Sequence, residues 1–365
     1  MRYLKTFKTL DEYVAALESG SLHRPATSYI KRERVMRYDE YVDKPLYVEA
    51  ISPLTVSFTN PIEYSLDNST WNALPKEQPS QTINEGEKIY FRASGLTATS
   101  SEGIGHFTIS GECKLGGNIM SMVYGEGFSG KTTLTQSSVF YYMFSNQTTI
   151  VDASSLSLPA TSLSANCYYG MFEGCQNLVK APALPSTNLS SRCYLRMFFG
   201  CYRLIKAPEL PATILSEACY NNMFNECTNL VEAPVLAATT MTYACYSNMF
   251  SKCKSLVNAP ALPATTLDVY CYNNMFLECT NLETAPVLPA QTLMSNCYRQ
   301  MFQHCQKIDY IKVMCLTQPS NTYSQYWVRG VKSTGIFVKN SAATWSNEYN
   351  ESVIPSGWSV QTATE

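Results

Sequence analysis

Residues 125–133 read GEGFSGKTT, a stretch whose residue types and spacing could bind a nucleotide phosphate. Gly125, Gly130, Lys131 and Thr132 fit the pattern G-x-x-x-x-G-K-[ST] letter for letter. Such a loop normally follows a buried parallel strand and opens a helix whose N-terminal amides hold the phosphates. The residues that follow here, TTLTQSSVFYYMF, are rich in Ser and Thr and make a poor helix start. We therefore predict a solvated turn at this place and no bound cofactor.

The second set of reactive side chains is the group of 14 cysteines, of which 12 form two regular series. The first series is Cys167, Cys193, Cys219, Cys245, Cys271 and Cys297, and the second is Cys175, Cys201, Cys227, Cys253, Cys279 and Cys305. Every step within a series is 26 residues. Regularly spaced thiols could serve as metal ligands, as a disulfide ladder or as small buried apolar side chains.

The spacing favours the last of these three uses. Two cysteines eight positions apart on a helix would be about 12 Å apart, well beyond the roughly 7 Å between Cα atoms that a disulfide allows. Zinc sites need close pairs of ligands, and the chain has only three histidines, His23, His106 and His304. We predict free thiols packed in a core and no metal site.

The remaining catalytic patterns are missing from the sequence. It contains no G-x-S-x-G elbow and no H-E-x-x-H pair. Carboxylates occur singly between polar residues, although a pair brought together by the fold stays open at this point. We predict that the protein is not an enzyme.

The thiols belong to a repeating unit, C-Y-x-x-M-F-x-x-C-x-x-L-x-x-A-P-x-L-P-A-x-x-L, which occurs six times between about residues 159 and 313. Within ANCYYGMFEGCQNL, apolar residues recur as on one face of a helix. A short strand follows, LVKA in the first copy, which Pro182 and its equivalents stop. A fixed period of this length is typical of a solenoid, because one unit cannot bury its own apolar face.

The unit resembles the BspA-like leucine-rich repeats, with Met-Phe in place of their Ala-Phe. It is more similar to the Cys-Tyr and Met-Phe variant found in surface and phage-encoded proteins of Bacteroidales. The resemblance extends over residues 111–360 and includes GNIMSMVYG, GIFVKN and IPSGW. It implies a solenoid of stacked units, each a helix or helical turn followed by a short strand.

The sequence before and after the repeats divides into three further parts. Residues 1–45 begin with a predicted helix, which has a capping box at Thr9 and Glu12 and an apolar stripe of Leu10, Tyr13, Val14 and Leu17. Residues 46–130 show strand patterns, among them LYVEAI, KIYFRA and NIMSMVY, and predict a β-sandwich. Residues 131–316 are assigned to the solenoid, and 317–365, with QYWVRGV, TGIFVKN and IPSGWSV, to a β cap. The predicted fold class is α+β.

The N-terminal stripe must dock on another apolar surface, either this chain's next domain or a neighbouring subunit. The order F-x-T-x-x-E-Y-x-A from Phe7 to Ala15 resembles the N-terminal arm of phage structural proteins. That resemblance implies an anchoring arm that contacts other virion proteins and further copies of the chain.

The charge balance, 27 Lys plus Arg against 29 Asp plus Glu, gives no electrostatic surface for nucleic acid or for an anionic membrane. The N-terminus lacks the apolar core of a signal peptide. These features and the resemblance predict a virion surface protein, a head or tail fibre or a capsid decoration, that presents the solenoid to a host surface protein or glycan. Two alternatives stay open: a bacterial cell-surface adhesin, and a virion spacer without a ligand.

Two sets of exposed positions are the candidate binding surface. One is the variable strand position of each repeat, occupied by Lys180, Lys206, Glu232, Asn258 and Thr284. The other is a group in the second repeat, Arg196, Phe199, Tyr202 and Arg203, which stands where other repeats carry small polar residues. Exposed aromatic and Arg side chains are enriched at binding interfaces, and local packing is the alternative explanation for this group.

Overall fold

The computed structural model describes residues 43–363. The anchoring helix predicted from Leu10, Tyr13, Val14 and Leu17 lies outside these residues. Within the described part, regular secondary structure is mostly sheet, with two helices of four residues each and one 3₁₀ segment. The strong helical component of the predicted α+β class is therefore wrong for the repeats.

The N-terminal part of the described chain is built from two sheets. Its strands are β1 (Leu46–Ala50), β2 (Val56–Phe58), β3 (Ile62–Ser65), β4 (Asn72–Leu74), β5 (Lys88–Arg92), β6 (Phe107–Ile109), β7 (Cys113–Asn118) and β8 (Ile150–Ser157). Six of them form one sheet in the order β4-β3-β5-β1-β7-β8, and β2 pairs with β6. We call the part formed by β1–β7 the sandwich.

The two sheets meet through aromatic side chains. Phe107 of the small sheet lies with its ring centroid 5.1 Å from that of Phe91 in the large sheet and 4.6 Å from that of Phe58. Alternate residues of β5 are buried, as expected for a strand with one face on a core. The strand β7 pairs in parallel with β8, and this pairing leads the large sheet into the repeats.

One predicted strand, NIMSMVY, is a helix instead. Helix α1 covers Ser121–Tyr124, and a 3₁₀ segment covers Gly125–Phe128. The Ser121 hydroxyl accepts from the Leu46 amide at 3.0 Å and donates to the Phe91 carbonyl at 2.9 Å, which fixes this turn against the sheet. The strand lies earlier, at CKLGGN, where a Cβ added at Gly116 would overlap the Tyr47 ring.

The repeats stack directly on one another, and we call this part the repeat stack. Two columns of rings run through it. One column consists of Phe140, Tyr168, Tyr194, Tyr220, Tyr246, Tyr272 and Tyr298, with successive centroids 5.4–6.2 Å apart. The other consists of Phe107, Phe144, Phe172, Phe198, Phe224, Phe250, Phe276 and Phe302, at 5.2–5.8 Å. Phe107 belongs to both the sandwich core and the second column, so the two cores are continuous.

The segment that carries the cysteines is a series of turns, and the predicted helix is wrong. The Met171 amide donates to the Tyr168 carbonyl within the turn at 3.3 Å, whereas the Phe172 amide donates to the Met197 carbonyl of the next repeat at 2.9 Å. Positive φ angles recur at every fourth residue, as at Asn166, Gly170 and Gly174. A left-handed residue at each fourth place closes consecutive turns and directs alternate amides to the neighbouring repeat.

The predicted short strands are reduced to single bridged residues. Lys180 pairs with Lys206, Lys206 with Glu232, and Asn258 with Thr284, in each case in parallel. The proline two residues after each of these positions has no N–H to extend the ladder, which limits the pairing as the sequence predicts.

The C-terminal residues first continue the repeat stack and then cover its end. Helix α2 is Asn321–Ser324, and strands β9 (Tyr310–Val313), β10 (Ile336–Lys339) and β11 (Ser359–Thr362) form a parallel sheet in the order β11-β10-β9. The predicted strand QYWVRGV is another turn segment, in which the Trp327 carbonyl accepts from the Phe302 amide at 2.8 Å. Its indole lies 6.0 Å from Tyr298 and 6.3 Å from Phe302, so one ring covers both columns.

Candidate functional site

The predicted row on the strand positions lies on the surface, but its members pair with one another. Lys180 forms an ion pair with Asp152 at 3.1 Å, and Lys206 forms one with Glu232. The Thr284 hydroxyl donates to the Asn258 side-chain oxygen at 2.9 Å. The row is thus a ladder of contacts between neighbouring repeats.

In the group predicted in the second repeat, two members contact each other and the other two are exposed. The Arg196 guanidinium makes two hydrogen bonds of 2.6 Å to the Glu173 carboxylate and lies 4.0 Å from the Phe199 ring centroid. The hydrogen bonds to Glu173 raise the pKa of Arg196. Tyr202 and Arg203 are exposed instead. Arg196 and Phe199 therefore form a local contact together with Glu173.

The GEGFSGKTT segment does not have the form of a phosphate loop. No helix follows Lys131, because Thr133 forms a parallel bridge with Ser162 and the Thr132 carbonyl accepts from the Thr161 amide at 2.9 Å. The Lys131 ammonium lies 5.3 Å from the Tyr124 ring centroid. The amides that would surround a phosphate at a helix N-terminus are thus not presented here.

All 14 cysteines are free and buried. The second series has a uniform partner, since each thiol donates to the carbonyl of a phenylalanine in the preceding repeat at 3.0–3.1 Å, for example Cys227 to Phe198. In the first series burial raises the pKa of Cys245 to about 11 and of Cys193 to about 12. These thiols are therefore protonated at neutral pH and poor nucleophiles.

The surface of the turn segments carries a groove that the sequence analysis missed. Two adjoining concavities of about 330 and 340 Å³ share Arg192 and Leu195. We call them together the tyrosine groove, lined by Ser100, Tyr141, Asn166, Tyr169, Arg192, Leu195, Glu217, Ala218, Asn221, Tyr243, Ala244, Ser247 and Tyr270. Equivalent positions of successive repeats line it, so the groove crosses the repeats.

Tyrosines occupy both ends of the tyrosine groove. At one end Tyr141 lies 4.8 Å from Tyr169 and 4.6 Å from Tyr142, measured between ring centroids. At the other end Tyr243 and Tyr270 form an edge-to-face pair at 6.0 Å, and Tyr243 is 47% exposed. Burial, and then the nearby Tyr169 and Glu173, raise the pKa of Tyr141, so this phenol is protonated at neutral pH.

The middle of the tyrosine groove is polar and neutral. Arg192 and Glu217 form an ion pair of 3.1 Å in which both side chains are about half exposed. The Asn221 amide donates to the Ala244 carbonyl at 3.3 Å, and the Ser247 hydroxyl accepts from Asn273 at 3.2 Å. Because charge is balanced and the ends are aromatic, the groove suits a neutral, hydroxyl-rich ligand with apolar faces.

A signal for this groove exists in the sequence. The tyrosines of the core recur at 26-residue steps, but Tyr169, Tyr243 and Tyr270 do not recur at equivalent positions of every copy. A residue that breaks the repeat is not required by the stacking of the core. Such residues are therefore the ones to test for a surface role.

Two observations concern residues 43–363 only. No group of three or more His, Cys, Asp or Glu side chains there is arranged to hold a metal ion. Over the same residues no helix has the length and apolar character needed to cross a bilayer. No protein-family model, curated protein or solved structure matches this chain.

Proposed function

We propose that this chain is a non-enzymatic virion surface protein that binds a host-surface glycan through the tyrosine groove. In this proposal it is a head or tail fibre or a capsid decoration, held to the particle by residues 1–45. The resemblance of the repeats and of Phe7–Ala15 to phage-encoded proteins supports the virion part. The tyrosine groove is the single observation that carries the binding part.

We also infer that the repeat stack is a leucine-rich-repeat solenoid of an unusually turn-rich kind. Parallel bridges at equivalent positions and two continuous ring columns support this assignment. Each repeat contacts its two neighbours, so the surface is regular and rigid. A rigid surface suits recognition because little side-chain and backbone entropy is lost on binding.

A glycan fits the chemistry of the groove better than a charged ligand does. A tyrosine ring offers a flat apolar face to the C–H groups of a sugar ring, and its hydroxyl both donates and accepts hydrogen bonds. Arg192, Glu217 and Asn221 add polar groups at the centre without net charge. A phosphate or an acidic peptide would meet the Glu217 carboxylate beside Arg192.

The glycan proposal is tested with the full chain on a glycan array, followed by titration calorimetry with the oligosaccharides that bind. Tyr243→Ala and Tyr169→Ala should each weaken binding about tenfold or more, since each removes one aromatic end of the groove. Tyr349→Ala is the matched control, because Tyr349 is 51% exposed and does not line the groove. Equal affinity of all three variants and the parent chain would contradict the proposal.

The location is tested separately on purified particles. Mass spectrometry of the virion should find this chain, and deletion of residues 1–45 should prevent its incorporation while the repeat stack stays folded. Recovery of the protein on bacterial envelopes and not in particles would favour the adhesin alternative. Incorporation without any glycan binding would favour the spacer alternative, which the paired row of Lys206, Glu232, Asn258 and Thr284 also suits.

A further inference from the structure

An aliphatic stripe lies on the repeat stack apart from the tyrosine groove. It consists of Val179, Ile205, Val231 and Val257, one from each of four successive repeats. Ile205 is 48%, Val231 49% and Val257 38% exposed, and the Val231 amide donates to the Ile205 carbonyl at 2.9 Å. The next equivalent position is Glu283, which ends the stripe with a charge paired to Lys307. Val179 is partly buried; a contiguous row of aliphatic side chains beside polar ones is typical of an interaction surface.

A charged row runs beside the stripe, one residue further along the chain in each repeat. Its members are Lys180, Lys206, Glu232 and Asn258. Lys206 and Glu232 lie next to each other as an exposed ion pair, with side chains 59% and 58% exposed. None of the residues in the stripe or in this row lines the tyrosine groove.

We propose that the stripe packs against the stripe of a second copy of this chain, with the two stacks antiparallel. A two-fold axis between the repeats of Ile205 and Val231 places Ile205 opposite the second copy's Val231 and Val179 opposite its Val257. The same axis places Lys206 opposite the second copy's Glu232. Aliphatic residues thus face aliphatic residues, and Lys206 faces Glu232. The surface is complementary to itself, as an isologous interface requires.

Other registers of the two stripes are less favourable. A parallel arrangement with the two stripes in contact places the charged rows on opposite sides of the stripe, so Lys206 and Glu232 gain no partner in the second copy. An antiparallel arrangement centred on Ile205 places Lys206 opposite the second copy's Lys206. Like charges at close range oppose association, so the charged row selects the register that the aliphatic stripe alone leaves open.

Sedimentation velocity of the full chain tests the association. Val231→Lys places a charge at the centre of the stripe and should lower the assembly mass by a factor of two, with at least a tenfold weaker dimer. Ile214→Lys is the matched control, because Ile214 is 81% exposed and lies outside the stripe. Lys206→Glu should also weaken the dimer, and addition of Glu232→Lys should restore it. An unchanged mass for Val231→Lys would overturn the proposal.

Crosslinking tests the register. In the double variant Val179→Cys/Val257→Cys the new thiols are three repeats apart within one chain, too far for a bridge inside it. In the proposed dimer each faces its counterpart in the other copy. Oxidation with copper phenanthroline, then blocking of remaining thiols with N-ethylmaleimide before denaturation, should give a covalent dimer on a non-reducing gel. Neither single variant should do so. Absence of the dimer from the double variant would overturn the register.

The dimer and the glycan proposal fail independently. Val231→Lys should bind the oligosaccharides of the array as the parent chain does, since the groove is untouched. Tyr243→Ala should sediment as the parent chain does.

Discussion

The sandwich and the repeat stack satisfy their buried backbone groups in two different ways. In the sandwich, extended strands pair along their length, as β1 does with β5 and β7, and each core side chain has its own set of neighbours. In the repeat stack, turn amides alternate between a partner in the same turn and one in the next repeat. The same side chain then meets its own equivalent on both sides, as Phe224 meets Phe198 and Phe250.

This difference determines which substitutions destabilise each part. The sandwich concentrates its steric constraints at a few positions, such as Gly117, where a Cβ would overlap the Pro45 carbonyl oxygen. The repeat stack distributes them, because thiols, rings and left-handed residues recur in every copy. A single change in the stack should therefore act on neighbouring repeats, whereas a change shared by all copies should act on the whole stack.

The largest effect should come from alkaline pH, which acts on every thiol of the stack together. Burial raises the pKa of Cys245 to about 11 and of Cys193 to about 12 from an ordinary value of 9.0. Between these values the unfolded chain loses protons that the folded chain keeps, so stability falls as pH rises above about 9. Each fully buried thiol then costs on the order of 1.4 kcal/mol per pH unit.

Circular dichroism and thiol titration with Ellman's reagent should therefore show full stability at pH 7–8 and loss of the stack by about pH 10–11. At pH 8 the 14 thiols should react only after urea is added. Cys113 is the one cysteine of the sandwich, so the sandwich strands should lose hydrogen-exchange protection after the repeats. Rapid labelling of the folded protein at pH 8 would contradict this account.

The next largest effect should come from removal of one ring in each region. Phe224→Ala leaves a gap between Phe198 and Phe250 and should cost about 3–5 kcal/mol, and Phe91→Ala in the sandwich should cost a similar amount. Hydrogen exchange should separate them. Protection should fall only in the repeats next to Phe224, but across both sheets for Phe91. Equally wide loss for Phe224→Ala would remove the distinction between the regions.

A smaller effect should come from a single methyl group at Gly117. This residue has φ of 78°, and a Cβ there would overlap the Pro45 carbonyl oxygen. Gly117→Ala should lower the free energy of unfolding by about 3 kcal/mol through overlap and backbone strain together. Gly130→Ala is the matched control, with φ of 69° and nothing within 4 Å of the added carbon, and should cost about 1 kcal/mol. Equal urea midpoints for the two variants would contradict a steric role for Gly117.

The sequence predicts the period of the fold better than its local conformation. Steps of 26 residues identify the stacked units, and the proline after each bridge explains the short pairing. The helix is wrong because Cys167, Met171 and Cys175 are four apart, a spacing shared by a helix of 3.6 residues per turn and by consecutive four-residue turns. Gly170 and Gly174 have positive φ angles and share the four-residue spacing. These glycines distinguish consecutive turns from a helix.

The candidate site was less predictable than the fold. Variable, solvent-facing positions on the strand row predict a binding surface, but Lys206 and Glu232 form an ion pair with each other. The tyrosine groove depends on the relative position of Tyr169, Arg192 and Tyr243 in three different repeats. The relative position of these three residues follows from the path of the turns. A helix in each repeat would place the three side chains differently.

The smallest expected effect concerns two arginines, one in each region, that make the same kinds of contact. Arg196 in the stack lies over Phe199 at 4.0 Å and pairs with Glu173, whose side chain is 18% exposed. Arg92 in the sandwich lies over Trp71 at 4.1 Å and pairs with Glu63, whose side chain is 50% exposed. Substitution by Lys keeps the charge but removes the planar group that hydrogen-bonds and stacks at the same time.

Arg196→Lys should lower the urea midpoint by the equivalent of about 1 kcal/mol, since the carboxylate of Glu173 is mostly shielded from water. Arg92→Lys should cost about 0.5 kcal/mol or less, because solvent screens the pair with Glu63. Raising NaCl from 0.05 to 0.5 M, roughly the range over which screening becomes strong, should reduce the Arg92 effect further and leave most of the Arg196 effect. The opposite order would mean that burial of the carboxylate does not decide the strength of these contacts.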